Sequence, residues 1–195
     1  MSATSLIPKK VRVPPMSDTE NLFIEERDEK IASMYDDKGK QGKWMLFFSF
    51  KNMDAMWEKA LRFYYEGKLT GIQSIITSTA AENPRASKAV KNGAIRFRCG
   101  PSDDEQLMKS YGRNLIKRFN YFSNYGFIAY KTDEQSALET RATGNWRNFL
   151  YRIQVPKWVL SNYIKNSFLF CVYTRQEKLT VPASFLHLLE KNLLV

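Results

Sequence analysis

A chain of 195 residues, of which 44% are hydrophobic, 26% charged and 14% aromatic, has the apolar content of one folded domain and is too rich in aromatics to be disordered or collagen-like. The formal net charge is +10, and it is uneven. Residues 1–41 hold 7 of the 30 Lys and Arg against 8 of the 20 Asp and Glu, so residues 42–195 carry the whole excess, 23 against 12. Such an excess favours a polyanion, because each phosphate neutralised by a cation releases a condensed counterion.

Two cysteines and a single histidine, none at metal-ligand spacing, exclude zinc sites, disulfide frameworks and most histidine-dependent catalysis. No apolar run approaches the ~20 residues of a bilayer span and no secretory h-region opens the chain. The expectation is a protein of the cytoplasm, with the nucleus as alternative, and no membrane partner.

Residues 1–20 contain three prolines and no periodicity and read as a tail without fixed structure. Within them Pro8-Lys-Lys-Val-Arg-Val13 only faintly matches a basic nuclear localisation signal. Leu22, Phe23 and Ile24 followed by charged residues predict a short helix or turn over 22–30. The aromatic stretch 43–50 predicts a buried strand. Met53, Met56, Trp57, Ala60, Leu61 and Tyr64 then recur at helical spacing, with Asn52 to cap the helix and Gly67 to stop it. A strand over 71–77 is followed by a polar, basic loop over 78–92 that carries Arg85, Lys88 and Lys91.

Over 94–99, Ile95, Phe97 and Cys99 alternate with Arg96 and Arg98, so one strand face is buried and the other basic. Two like charges this close are costly unless something anionic meets them. Ser102-Asp-Asp-Glu105 predicts a capping box for a helix over 103–119, with Lys117 and Arg118 at its end. Strands follow over 125–131 and 148–153, with Trp146 in the intervening loop as a stacking platform or a plug over the core. The last segment predicts a helix over 156–166, a strand over 168–173 and a helix over 182–194. Leu186, Leu189 and Leu193 of that last helix form a stripe able to dock a protein partner. Trp44, Trp57, Cys99 and Cys171 read as core, and His187 as a core-edge residue.

Together these elements predict an α+β domain: a curved, mostly antiparallel sheet with helices on one face. Its expected limits are a tail over 1–20, a domain over 21–154 and a C-terminal extension over 155–195 packed on that domain.

The order and spacing of Gly42-Lys-Trp44, the stretch from Met53 to Trp57, Glu66-Gly-Lys-Leu69, Tyr130-Lys-Thr-Asp133 and Trp146 resemble the uncharacterised basophilic-leukaemia-expressed protein family. The fold of that family resembles eukaryotic translation initiation factor 4E, the mRNA cap-binding protein. Met34-Tyr-Asp36, Tyr111-Gly-Arg-Asn-Leu-Ile-Lys-Arg-Phe119 and Phe127-Ile-Ala-Tyr130 are similar to the factor itself, and the likeness spans about residues 34–153.

In the factor, two tryptophans sandwich a methylated guanine, a glutamate binds the base edge and basic residues hold the phosphates. The resemblance implies that Tyr35 stands for the second tryptophan, Asp36 for the glutamate and Lys43 for a residue near the phosphates. Arg96 and Arg98 on their strand, and Arg85, Lys88 and Lys91 in the loop, are implied as further phosphate contacts, with Trp146 available for stacking. No segment before Gly42 answers to the one bearing the first tryptophan, and Tyr for Trp and Asp for Glu weaken stacking and shorten reach. The implied protein is therefore a non-enzymatic nucleotide- or RNA-binding module with an incomplete cap pocket, without cofactor or metal, its partner RNA capped or uncapped. The alternative is a protein-interaction scaffold that kept the fold and lost the ligand.

Overall fold

The computed structural model describes residues 12–35, 39–82, 92–123, 125–137 and 149–155. The chain divides into two compact units, Met1–Lys157 and Trp158–Val195, and every described residue belongs to the first. The elements expected over 156–194, Cys171 and His187 among them, lie outside the described residues.

Six strands, β1 (Phe23–Arg27), β2 (Gly42–Ser49), β3 (Ser74–Ser78), β4 (Asn92–Cys99), β5 (Phe127–Thr132) and β6 (Tyr151–Gln154), form one sheet in the order β1-β3-β4-β2-β5-β6. Every pairing is antiparallel. Helices α1 (Glu29–Ser33), α2 (Phe50–Tyr65), α3 (Glu105–Phe119) and α4 (Asp133–Ala137) complete the described architecture. It is the expected α+β domain with a curved antiparallel sheet.

Alternation fixes which side of the sheet is core. Trp44 and Leu46 of β2, Ile75 of β3, Ile95, Phe97 and Cys99 of β4, and Ile128 and Tyr130 of β5 are all buried in one cluster. The α2 stripe of Met53, Trp57, Ala60, Leu61 and Tyr64, with Met108, Leu115 and Phe119 of α3, covers them. Burial of the Cys99 thiol pushes its pKa well up, in keeping with an inert core cysteine. Helix α3 lies especially close: the Trp44 indole Nε1–H donates to the Met108 carbonyl at 3.0 Å. A Cβ on Gly112 would stand 2.8 Å from the Trp44 ring and 2.5 Å from Ile153 Cδ1.

Four local expectations are corrected. The charged stretch 22–30 is not one helix: Phe23–Arg27 pairs with β3 as a strand, with Ile24 and Glu26 more buried than their neighbours. Asp28 then caps α1 by accepting from the Lys30 and Ile31 amides. The acidic run hides a period of two. Residues 12–20, expected as part of the tail, are tied down: Arg12 pairs with Glu26 at 3.1 Å, the Met16 amide donates to Asp54 at 2.9 Å, and the Ala80 amide to the Pro15 carbonyl at 3.0 Å.

Helix α2 starts at Phe50 behind Ser49 rather than at Asn52, while Gly67, with φ +65°, ends it as expected. The cap of α3 is Asp104, which accepts from the Leu107 amide at 2.8 Å. Ser102 is instead buried, its carbonyl accepting from the Tyr151 hydroxyl at 2.8 Å. Among the described residues no helix is long and apolar enough to cross a membrane.

Candidate functional site: the open face of the sheet

The period that buries Trp44 and Phe97 sends the intervening side chains to the other face. Registers then align them into rows across the strands. Arg27 is opposite Ser74, Ser74 opposite Arg98, Arg98 opposite Lys43, and Lys43 opposite Lys131. Three cations on adjacent strands thus stand side by side at one end of the sheet, an arrangement that repels itself.

Asp133 offsets this in part. Its Oδ1 accepts from Lys43 Nζ at 3.0 Å and its Oδ2 from the Arg98 guanidinium at 2.7 Å. Asp133 is the first residue of α4, placed there by a reciprocal cap: the Thr132 amide donates to Gln135 Oε1 and the Gln135 amide to Thr132 Oγ1, each at 3.0 Å. A Thr-x-x-Gln spacing in the sequence was the available signal for this helix, and with it for Asp133.

Burial works to raise the Asp133 pKa, but the hydrogen bond from Lys43 and the charges of Lys43 and Arg98 outweigh it and hold the carboxyl below its usual value of 3.8. The folded state therefore gives up this proton more readily than the unfolded chain. Its stabilisation is complete above pH 3.8 and is lost as pH falls through the lowered value. All three side chains keep contact with solvent, so the pairs contribute only about 1 kcal/mol. Replacing Asp133 with Asn is expected to remove this increment near neutrality and to strengthen binding of an anion such as pyrophosphate several-fold. Urea unfolding of both proteins at pH 7 and pH 3, with anion titration at pH 7, checks it: the stability gap must narrow at pH 3.

Arg96 lies one row further along the same face, opposite Met45 and Ile76. It has no carboxylate partner among the described residues. Its guanidinium instead sits 4.3 Å from the centroid of the Phe23 ring, a cation–π contact. Burial lowers its pKa, although a guanidinium remains a cation at any physiological pH. The sequence pair Arg96 and Arg98 thus shares one face as expected, and its two charges are met differently, one by a carboxylate and one by an aromatic ring.

Tyr35 is half-buried. Its carbonyl accepts from Gln73 Nε2 at 2.6 Å, and the Gln73 amide donates to the Arg98 carbonyl at 2.9 Å. Tyr35, Lys43 and Arg98 are therefore held at the same end of the sheet, with Arg96 behind them. Asp36, Arg85, Lys88, Lys91 and Trp146 lie outside the described residues. Trp44 and Trp57 are buried, as expected for core. A separate cleft of about 440 Å³ between Arg12–Pro15 and α2 contains none of the candidate residues. Among the described residues no group of His, Cys, Asp and Glu could hold a metal ion.

No family model and no curated protein matches the chain, so the narrower likeness to the basophilic-leukaemia-expressed family gains no support from them. Solved structures do match. A schistosome eIF4E complexed with m7GpppA and 4E-BP is 14% identical, with a TM-score of 0.53 over 76% of this chain and 78% of that one. A schistosome eIF4E complexed with m7GpppG and 4E-BP is 15% identical, with the same TM-score and coverage. At this identity the likeness establishes the fold.

Proposed function

We propose that this chain is a non-enzymatic RNA- or nucleotide-binding module built on the eIF4E-like fold and distantly related to cap-binding proteins. Phosphate is held by Lys43 and Arg98 and the base end is flanked by Tyr35 and Asp36. Arg96 adds a further phosphate contact, as do Arg85, Lys88 and Lys91 from their loop, and Trp146 adds a stacking surface. The observation that carries this reading is the opposed pair Arg98 and Lys43 on neighbouring strands, two cations that share the single carboxylate of Asp133. A phosphate oxygen offers Lys43 and Arg98 the same charge-assisted acceptor that the Asp133 carboxylate does.

The similar schistosome proteins were complexed with capped dinucleotides and with 4E-BP, which supports a capped nucleotide and a protein as partners here. With Tyr35 in place of a tryptophan and Asp36 in place of a glutamate, the preference for a cap over plain RNA is small. The second reading, a scaffold without ligand, is favoured by one observation: Asp133 already engages both Lys43 and Arg98. Fluorescence anisotropy with short capped and uncapped RNAs across a salt series separates the two. Binding should weaken linearly in log–log form, with a slope of about −0.7 for each phosphate neutralised on a single strand. No binding at low salt overturns the proposal and leaves the scaffold.

A further inference from the structure

The open face changes character along the strands. Two residues beyond the row of Lys43 comes that of Glu25, Ile76, Arg96, Met45, Ala129 and Arg152, with the Glu25 carboxylate accepting from the Ser74 hydroxyl at 2.7 Å. Two residues beyond that stand Phe23, Phe47 and Phe127, each on the same face as the cations of its own neighbourhood. Phe23 and Phe47 are each 43% exposed. Phe127 continues into two further rings, Tyr125 at 6.4 Å and Phe149 at 5.7 Å between centroids, and Tyr125 is 71% exposed. Arg152 is exposed, and neither it nor Arg96 has a carboxylate partner among the described residues. One end of the face is thus cationic and the other aromatic, and the row between sets Arg96 and Arg152 among apolar side chains, with Glu25 at its β1 end.

Building on the nucleotide reading, we propose that this face is a track for a single-stranded oligonucleotide of several residues. Its backbone is held by Lys43 and Arg98 at one end and by Arg96 and Arg152 further on, and its bases stack on Phe47 and Phe127. Successive residues on one strand face lie ~6.6 Å apart, comparable with the span of a nucleotide from base to phosphate. Each ring therefore has a cation one nucleotide's width away. Single-strand binding sites combine these two features, since every base offers a π face whatever its sequence. A membrane or protein surface would ask for contiguous apolar area, whereas here the row beside the rings carries two guanidinium groups, Arg96 and Arg152, against the one carboxylate of Glu25. The charge complementarity points to a polyanion with aromatic bases.

The test uses the full chain and 5′-labelled oligo(U) of two, four and eight nucleotides at one low salt concentration, with oligo(dT) as a parallel series. Affinity should rise at least tenfold from the shortest to the longest. Phe47→Ala should cost roughly tenfold on the eight-mer and almost nothing on the two-mer, while Phe47→Tyr restores it, a pattern that a loss of folding does not imitate. Lys43→Ala should weaken all lengths alike. Equal binding of oligo(dT) assigns the shared chemistry of base and phosphate, and tighter binding of oligo(U) assigns RNA; either upholds the track. Affinity independent of length, or an equal loss at every length in Phe47→Ala, overturns the track and leaves the nucleotide reading standing. No binding at any length overturns both.

Discussion

Replacing Trp44 with Ala is expected to cost about 3–5 kcal/mol and to lower the thermal midpoint by about 10 °C in a chain of this size. Trp44 is fully buried, packs against Tyr130 with ring centroids 5.4 Å apart, and donates its indole N–H to the Met108 carbonyl. Gly112 exists where it does because α3 rests on this ring. Truncation opens a void between β2 and α3 that neither backbone can close, since β2 is fixed on both edges by β4 and β5. Trp44→Phe retains most of the buried area and loses the hydrogen bond, so it should cost about 1–2 kcal/mol. Urea unfolding monitored by circular dichroism measures both. A cost below about 1 kcal/mol for the alanine variant would contradict this account of the core.

The second large effect concerns binding. In a Lys43→Ala, Arg98→Ala double variant, the Asp133 carboxylate loses both of its partners and stands alone beside the phosphate position. RNA affinity should fall by about 10- to 100-fold, and the salt slope should flatten by about 1.4, the contribution of two phosphates on a single strand. Asp133→Asn moves affinity the other way. The opposite signs matter more than either magnitude, because general damage to the fold would weaken binding in both variants. An unchanged slope in the double variant would remove these residues from the interface.

What the sequence made legible follows from the range over which each signal acts. The alternation of Ile95, Phe97 and Cys99 with Arg96 and Arg98 is local, has a period of two and reports the buried face directly. The same holds for the α2 stripe and for Gly67. The alternation in Phe23–Arg27 is equally regular, but the glutamates that fill two of its positions concealed it, and with it the ring that Arg96 stacks upon.

Asp133 was harder still to see. It is 90 residues from Lys43 and 35 from Arg98, and only strand order brings it between them. In the sequence, Tyr130-Lys-Thr-Asp133 carries a likeness to a family and no sign of the charges its carboxylate meets. The two arginines did signal that something must meet their charge, and the sheet supplies it from a distance no local pattern spans. Tyr35, assigned through the resemblance alone, is held through its carbonyl, which accepts from Gln73 Nε2.

β1 closes one side of the sheet and, among the described residues, pairs only with β3. Such a border exposes backbone donors and acceptors on which another polypeptide could polymerise. Here the strand is five residues long and carries Glu25, Glu26 and Arg27 in succession, a density of charge that makes a second copy a poor match in any register. The same acidic run that disguised the strand in the primary structure therefore guards the folded molecule against fibrillar self-association.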